Sequence, residues 1–502
     1  METISLLAGG FQTLAANPVG ILWIALGVFV GITCGAIPGL TATMGVAVFI
    51  PITFSLEPEI ALATLIGVYC GGLSGGAVPA ILLNIPGTPS AMVTTLDGHP
   101  MARQGLATRA LGWALVASVV GSFVGWVALV TMAPVLARLA LNLGSAEYAA
   151  LALFGLTIVV SLSGSALAKG LLCALIGIAL SMVGLDPTTG EDRWTFGTIN
   201  LFQGISIMPA LIGLFAIPEI LMAIAAPGVQ KRLNLERSRM IPTLGEMMMQ
   251  KWNLLRSSII GVGAGIIPAL GGNIGSILAY DQSRRFEKDG AKYGTGRPGG
   301  IVASEAANNG VTGGALIPLL TVGIPGDSVT AMLIGGLMIH GLQPGPRLFE
   351  ANGDIVYAIL AAFLLATIMM YLLSVVGYRY VVRVLNLPRH VLYPALLLLT
   401  VVGTYALNRQ IFDVGLMLAL GALGFIATLA RFPVYPIVLG LVLGPILESE
   451  MRRALLVSGG EWSIFLTRPV SAVLLLLSVM AIVGPIVVRY MQKSRASRNA
   501  SS

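Results

Sequence analysis

The chain has 502 residues, of which 56% are hydrophobic and 10% charged, and its formal net charge is +7. Soluble proteins carry about 25% charged residues, so this composition excludes a water-soluble fold. The basic residues lie between apolar runs, where the positive-inside rule places them, which argues against nucleic-acid binding. The three cysteines lie inside apolar runs and predict neither a disulfide framework nor a metal site.

Uncharged runs of about one membrane thickness indicate transmembrane helices. Residues 19–35, 111–134 and 355–376 contain no Asp, Glu, Lys or Arg, and about twenty apolar residues can cross the hydrocarbon core as a helix. Only helices and closed barrels satisfy their backbone groups in lipid, and these runs lack the alternation of barrel strands. The sequence therefore predicts an all-α polytopic membrane protein. Residues 1–18 contain no Lys or Arg, so we do not expect a cleaved secretory signal there.

Two sequence motifs occur twice, in the same order and at nearly the same spacing. Residues 31–40 resemble residues 261–270 at an offset of 230, and residues 75–87 resemble residues 314–326 at an offset of 239. Each motif combines glycines with a proline, and a proline inside a helix removes a hydrogen bond and breaks or kinks the helix. We therefore predict a duplicated fold with helix breaks at Pro38, Pro86, Pro268 and Pro325.

In chain order, the first half, residues 1–226, is predicted to contain a re-entrant hairpin, a discontinuous helix and four scaffold helices. They lie at about 22–54, 60–97, 110–136, 147–163, 166–185 and 204–226. A basic cytoplasmic linker, 227–256, precedes the second half, residues 257–492. Its hairpin, discontinuous helix and scaffold helices are predicted at about 257–280, 301–340, 354–378, 390–408, 411–430, 434–447 and 464–490. The chain then crosses the membrane about 11 times, in addition to the two hairpins, and ends in a basic cytoplasmic tail, 493–502.

Charge predicts opposite orientations for the two hairpins. The second hairpin has basic residues on both flanks, from Lys251 and Arg256 to Arg284 and Arg285, so both flanks are expected in the cytoplasm. The first hairpin is flanked by Glu residues without Lys or Arg, which fits the outer side. Five predicted crossings lie between the hairpins, and an odd number inverts the second copy. Inverted repeats with broken helices are typical of secondary transporters.

The four breaks are the predicted substrate and ion sites. A break frees backbone N–H groups at one half-helix and C=O groups at the other, which suit a carboxylate and Na⁺ respectively. An alternative is that the prolines only kink the helices and the polar groups satisfy the freed backbone. The candidate binding residues are Pro38, Gly39, Thr41, Thr43, Asn84, Pro86, Gly87, Thr88, Pro268, Gly271, Gly272, Asn273, Asn308, Asn309, Pro325, Gly326, Asp327 and Ser328.

Ionisable residues within the predicted spans are few and are candidates for function by default. Glu305 lies beside Asn308 and Asn309 and is interpreted as a cation ligand or as part of a hydrogen-bond network. Glu219 follows Pro218 and is interpreted as a residue of a kink near a membrane face. Glycines spaced by four residues, in both halves, predict close helix packing.

The stretches 35–43, 71–105 and 265–345 resemble the large permease subunit of tripartite tricarboxylate transporters, the TctA-type family. They include Asn-Ile-Pro-Gly-Thr-Pro-Ser at 84–90 and Ile-Pro-Gly-Asp-Ser at 324–328. The resemblance covers nearly the whole chain. A minor departure is the Gly299-Gly300 pair, where the family pattern has a Glu.

The resemblance implies a protein of the bacterial inner membrane that works with two partners. One is a small four-span membrane subunit, and the other is a periplasmic solute-binding protein that delivers a carboxylate. Transport is driven by an ion gradient, usually Na⁺, without a resident cofactor, and the chain has no P-loop motif for ATP. The identity of the carboxylate and the oligomeric state, including a homo-oligomer, stay open.

We therefore predict a Na⁺-coupled importer of di- or tricarboxylates that works by alternating access, with an elevator-like movement of the hairpins and broken helices. A proton-coupled carrier is the first alternative. A channel is disfavoured because the Gly- and Pro-rich core has few charges. An intramembrane enzyme is disfavoured because the sequence shows no HExxH motif and no convincing catalytic dyad, so no catalytic residue is predicted.

Overall fold

The structure is a computed structural model that describes residues 2–162, 167–186, 188–225, 239–268, 270–287, 290–384 and 389–500. The described residues are almost entirely helical, with one short antiparallel strand pair, β1 (Gly184–Leu185) and β2 (Asp192–Arg193). The helices up to the linker are α1 (Glu2–Ala16), α2 (Pro18–Ala36), α3 (Ala42–Thr53), α4 (Pro58–Gly75), α5 (Ala77–Leu83), α6 (Thr94–Met101), α7 (Ala107–Ala140), α8 (Ser145–Leu162), α9 (Leu167–Ser181), α10 (Ile207–Ala225) and α11 (Leu244–Met249).

The helices of the second half follow the same order of long and interrupted elements. In the first half, a 3₁₀ turn, Pro89–Met92, also lies between α5 and α6. The remaining helices are α12 (Lys251–Ile266), α13 (Gly271–Phe286), α14 (Pro298–Val322), α15 (Ser328–Ile339), α16 (Pro346–Ala351), α17 (Gly353–Val384), α18 (Arg389–Asn408), α19 (Ile411–Leu429), α20 (Tyr435–Val457), α21 (Ile464–Thr467) and α22 (Pro469–Ala500).

Each predicted proline break lies between two helical elements. Pro38 separates α2 from α3, and Pro86 separates α5 from the 3₁₀ turn. Pro268 separates α12 from α13, and Pro325 separates α14 from α15. The backbone around the breaks is locally left-handed, which ends a right-handed helix: α5 ends at a left-handed Asn84 with φ of 60°.

Met1–Ala140 and Leu211–Phe425 form one compact unit. Helices α4 and α14 lie at its centre, and nearly all their side chains are buried. Helix α4 packs against α2, α3 and α17, whereas α14 packs against α7, α12 and α13. The α2–α3 and α12–α13 segments thus pack against the two central helices.

Glycine lets the helices of this unit approach at backbone distance. A Cβ at Gly31 or Gly35 of α2 would collide with carbonyl oxygens of α4. A Cβ at Gly261 or Gly265 of α12 would collide with carbonyl oxygens of α14 in the same way. The small-residue spacing read from the sequence therefore corresponds to close helix contacts.

The two copies share a further contact at their second breaks. We call residues 18–92 the first core segment and residues 251–339 the second core segment. Gly87 lies against the carbonyl oxygen of the last glycine of α2, and Gly326 lies against the equivalent oxygen of α12. The packing is duplicated, while the inverted orientation of the copies in a membrane stays a prediction.

Leu141–Ala210 and Ile426–Ser502 form the second compact unit. In it, α8 packs against α20 and α22, and α9 packs against α20. The pKa of the Asp186 carboxyl is lowered to about 2, mainly by hydrogen bonds from the backbone N–H groups of residues 188 and 189 and to a smaller extent by Arg452. A network of ion pairs joins the strand pair to α20 through Asp186, Arg193, Glu448 and Arg452.

Several elements differ from the predicted ones. Helix α1 was not predicted, and it packs against α17. Helix α20 extends beyond the predicted end at 447, because Glu448 and Arg452 form an i,i+4 ion pair (2.8 Å) that supports the helix past its apolar part. The predicted span at 464–490 is divided before Pro469 into α21 and α22.

The linker and the spans also differ in their limits. Helix α12 begins at Lys251, inside the predicted linker, and α13 continues beyond 280 to Phe286. By length and composition, seven helices of the described part of the chain can cross a membrane, so the count of 11 stays a prediction. Parts of the predicted spans, linker and tail lie outside the described residues, at 163–166, 226–238 and 501–502.

Candidate substrate and ion site

The first break joins α2 and α3 and contacts α10. Thr41 is the N-cap of α3, and its hydroxyl oxygen accepts a hydrogen bond from the Met44 N–H (3.3 Å). The same hydroxyl donates to the two carboxylate oxygens of Glu219, at 2.9 and 2.8 Å. Gly39 has φ of 91°, and a Cβ there would lie 3.0 Å from the Ala223 Cβ. The polar groups of this break therefore include a carboxylate that the sequence reading assigned to a kink.

The first and fourth breaks meet through two hydroxyl groups. The Thr43 and Ser328 oxygens lie 2.8 Å apart and share a hydrogen bond, although the residues are 285 positions apart in sequence. Thr43 is in the first turn of α3, and Ser328 is the first residue of α15. The starts of two half-helices from different copies thus lie side by side.

Asp327 fixes the start of α15. One carboxylate oxygen accepts hydrogen bonds from the Thr330 N–H and hydroxyl, both at 2.8 Å, in a capping box. The other oxygen accepts a hydrogen bond from the Tyr69 hydroxyl of α4. Both oxygens of Asp327 therefore accept hydrogen bonds, and the residue links the fourth break to a central helix.

The second and third breaks also meet. A Cβ at Gly272 would lie 2.7 Å from the Ser90 Cβ and 2.9 Å from Asn308 Oδ1. The Ser90 and Thr88 hydroxyls lie 3.1 Å apart and share a hydrogen bond. Because Gly272 is in the first turn of α13, a helix start again lies beside hydroxyl and amide oxygens.

Two predicted contacts, Asn84 and Asn273, have exposed side chains. Asn84 lines an open cavity of about 700 Å³. The His99 Nδ1 is 3.1 Å from the Ile81 carbonyl oxygen, which orients the ring at the cavity wall. The other lining residues include a guanidinium and an amide, and the set is Thr95, Leu96, His99, Pro100, Arg103 and Gln104.

Glu305 is the most enclosed carboxylate of the central helices, with no exposed surface. It accepts a hydrogen bond from the Thr94 hydroxyl, and the Asn308 and Asn309 Nδ2 groups each lie 3.4 Å from its Oε2. Asn309 also donates to the Ser118 hydroxyl of α7 (2.9 Å), so it lies away from the breaks. Glu305 was interpreted from the sequence as a cation ligand or as part of a hydrogen-bond network. In the structure it forms such a network with the two amides.

Asp97 holds the loop before α14. Its Oδ1 accepts hydrogen bonds from the backbone N–H groups of Gly294, Gly296 and Arg297, at 2.9, 2.9 and 2.7 Å. Its Oδ2 accepts from the Tyr280 hydroxyl (2.8 Å). On the same loop, burial raises the pKa of the Tyr293 hydroxyl. The Asp97 carboxylate thus has a structural role at the entry to α14.

The structure brings residues of all four breaks together. The first and fourth breaks meet at Thr43 and Ser328, and the second and third meet at Gly272. Contacts in this region also involve residues outside the predicted binding set, namely Glu219, Tyr69, Ser90 and Thr94. For Tyr69 a signal existed, because it aligns with Asn308 at the repeat offset of 239. For Ser90 and Thr94 no local pattern indicated the partner.

This arrangement suits reversible binding of small ions. Helix starts with hydroxyl groups can accept a carboxylate through N–H and O–H donors. Amide and hydroxyl oxygens beside a buried carboxylate can bind a hard cation. In the described part of the chain, no group of three or more His, Cys, Asp or Glu side chains is placed to hold a metal ion.

Comparisons with known proteins agree with the sequence reading. Residues 21–439 match the model of the tripartite tricarboxylate transporter TctA family. An uncharacterized 52.8 kDa protein in the TAR-I ttuC′ 3′ region of Agrobacterium vitis is 34% identical over 488 residues, which cover 96% of each chain. A second uncharacterized protein, from the TAR-II ttuC′ 3′ region of the same organism, is 31% identical over 219 residues, 44% of this chain and 90% of that one. No solved structure matches the chain.

The family match covers residues 21–92 of the first core segment, the whole second core segment and all four breaks. The helical fold has several spans that are long and apolar enough for a multi-pass membrane protein. The chain therefore belongs to the tripartite tricarboxylate transporter TctA family, the large subunits of these membrane transporters.

Proposed function

We propose that this protein imports carboxylates across a bacterial inner membrane as the large subunit of a tripartite system. A periplasmic solute-binding protein delivers the carboxylate, and a small four-span subunit completes the membrane part. A Na⁺ gradient drives uptake by alternating access. The observation that carries the proposal is the pairwise meeting of the four breaks, at Thr43–Ser328 and at Gly272–Ser90.

The substrate site in this proposal is the meeting point of the first and fourth breaks. Helices α3 and α15 both begin there, and the positive ends of their dipoles favour an anion. Thr43 and Ser328 share one hydrogen bond, so one of their two hydroxyl groups is free to donate to the substrate. Neutral donors hold a carboxylate loosely enough to release it, which a transporter requires.

Alternating access needs two states in which this site opens to opposite sides. Asn273 has an exposed side chain beside the third break and is suited to report the state. In a variant with Cys34, Cys70 and Cys173 replaced, N273C should react with a membrane-impermeant thiol reagent from each side in turn. Substrate and Na⁺ should shift the labelling between the sides. Labelling confined to one side under all conditions would contradict alternating access.

Proton coupling is the second candidate, and one observation favours it. Glu219, Glu305 and Asp327 each accept a hydrogen bond from a hydroxyl group inside the helical core. Carboxyl groups in such surroundings are the usual carriers of protons in transporters. The two couplings are separated by varying one gradient at a time.

Uptake by proteoliposomes tests the function. The vesicles would contain both membrane subunits, with the solute-binding protein and a labelled carboxylate added outside. With a Na⁺ gradient at fixed proton gradient, we expect accumulation that stops when Na⁺ is equal on both sides. Unchanged uptake after the Na⁺ gradient is collapsed would contradict Na⁺ coupling. Absence of saturation and counterflow would contradict a carrier.

A further inference from the structure

Glu305 is a buried carboxylate without a cationic partner. Its exposed fraction is 0%, and in the described residues no Lys, Arg or His side chain forms an ion pair with it. Its neighbours are neutral donors, the Thr94 hydroxyl and the Asn308 and Asn309 amides. A carboxylate in such a place is unfavourable as an anion unless a positive charge comes close.

Asn308 has an oxygen with no hydrogen-bond partner in the described part of the chain. Its side chain is fully buried, and its Nδ2 lies 3.4 Å from the Leu73 carbonyl oxygen and 3.4 Å from Glu305 Oε2. Exchanging the amide O and N would place oxygen against both of these oxygens, so this orientation is the favourable one. The free Oδ1 then points away from Glu305, toward Gly272.

Gly272, which has no side chain, lies against that oxygen and against Ser90. The position of a Cβ at Gly272 is 2.9 Å from Asn308 Oδ1 and 3.3 Å from the Ser90 Oγ. The Thr88 hydroxyl, 3.1 Å from Ser90 Oγ, adds a third oxygen nearby. The neutral oxygens of Thr88, Ser90 and Asn308 therefore lie near one another, and the Glu305 carboxylate lies on the other side of Asn308.

We propose that the oxygens of Asn308 and Ser90 form a Na⁺ site. Asn308 Oδ1 and the Ser90 hydroxyl bind the ion, and Glu305, linked to Asn308, supplies the compensating charge. The inference rests on the Na⁺ coupling proposed above and gives that ion a position. One carboxylate with neutral oxygens balances a single positive charge, which favours a monovalent cation over Ca²⁺ or Mg²⁺.

The test is direct Na⁺ binding to the purified protein, without its partner subunits. Binding would be measured with ²²Na⁺ and as Na⁺-dependent thermal stabilisation, with K⁺ or choline holding the ionic strength constant. E305Q and N308A should weaken Na⁺ binding by about tenfold or more, because each removes the charge or an oxygen. S276A is the matched control, since Ser276 donates to the Ser304 carbonyl oxygen in the same buried region (3.1 Å).

Two glycine variants test the packing around the proposed ligands. G272A brings a methyl group within 2.9 Å of Asn308 Oδ1 and 2.7 Å of the Ser90 Cβ, which displaces both ligands, and it should also weaken Na⁺ binding by about tenfold or more. G263A changes the same hairpin where a Cβ meets no atom within 4 Å, so it should bind Na⁺ as the wild type does. Every variant must keep the wild-type elution profile in size-exclusion chromatography and its melting temperature without Na⁺. If N308A fails this requirement, E305Q and G272A still decide the proposal.

The outcomes separate the site from the proposed function. Equal Na⁺ affinity in E305Q, G272A and the wild type would overturn the site, even if uptake is driven by Na⁺. Absence of Na⁺-specific binding to the wild type would also overturn it. If the site variants lose Na⁺ binding but uptake follows only the proton gradient, the site stands and the proposed coupling fails.

Discussion

The first core segment, residues 18–92, and the second, residues 251–339, pack their helices alike but carry different polar groups. In both, the glycines of the first hairpin helix face carbonyl oxygens of a central helix. The glycine of the Ile-Pro-Gly motif lies against the carbonyl oxygen of the last glycine of that hairpin helix. A backbone contact of this kind depends only on the absence of a side chain. Duplication of the fold therefore preserves it while other side chains change.

The polar groups at equivalent positions have diverged. At the offset of 239, Tyr69 corresponds to Asn308, and Thr88 corresponds to Asp327. The first segment has hydroxyl groups at its breaks and takes its carboxylate, Glu219, from α10. The second segment contains its own carboxylates and amides. The comparison indicates a shared scaffold on which the two segments present different polar groups to each other.

The strongest test of the shared scaffold is to fill equivalent glycines. G31A and G261A each place a Cβ against a carbonyl oxygen of the central helix, of Val68 and Ala307 respectively. Each should destabilise the protein by about 1–3 kcal/mol, because backbone atoms cannot move aside. Both should lower the melting temperature and abolish most uptake. The measurements are thermal unfolding in detergent and uptake per folded molecule.

G263A provides the control for both variants, because its Cβ meets no atom within 4 Å. We expect G263A to unfold and transport like the wild type. If G31A is tolerated and G261A is not, the two segments do not depend on the same packing. That result would contradict the conclusion that the two segments pack alike.

A smaller effect is expected at the diverged position after the Ile-Pro-Gly turn. D327A removes the carboxylate that accepts from Tyr69 and Thr330, and loss of such a cap costs about 1 kcal/mol. Uptake should fall by about tenfold, because a misplaced α15 moves Ser328. T88V, at the equivalent position, caps no long helix and should retain more activity. Uptake rates and melting temperatures of both variants check this, and equal losses would contradict divergence.

Much of the fold could be predicted from the sequence because its signals are local. Proline and glycine act on their own backbone, so Pro38, Pro86, Pro268 and Pro325 marked helix breaks without knowledge of the neighbours. Charge-free runs marked the long helices for the same reason. Helix limits were less predictable where ion pairs, as between Glu448 and Arg452, extend a helix beyond its apolar part.

The candidate site was only partly predictable, because its contacts join distant residues. Thr43 and Ser328, or Gly272 and Ser90, come together through packing of separate helices, which no spacing in the sequence encodes. The interpretation of Glu219 as a residue of a kink did not include its contact with the first break. Its role depends on the Thr41 hydroxyl, which is 178 positions away.

The smallest predicted effect is the coupling between the first and fourth breaks. T43V and S328A each remove one partner of the 2.8 Å hydrogen bond with little change in volume. In a double-mutant cycle on substrate affinity, the pair should couple by about 0.5–1.5 kcal/mol. T321V is the control, because Thr321 donates to the Ile317 carbonyl of its own helix (2.7 Å) and should add to S328A without coupling. Full additivity of T43V and S328A would mean that the two segments bind substrate separately, and the meeting of their breaks would then serve packing alone.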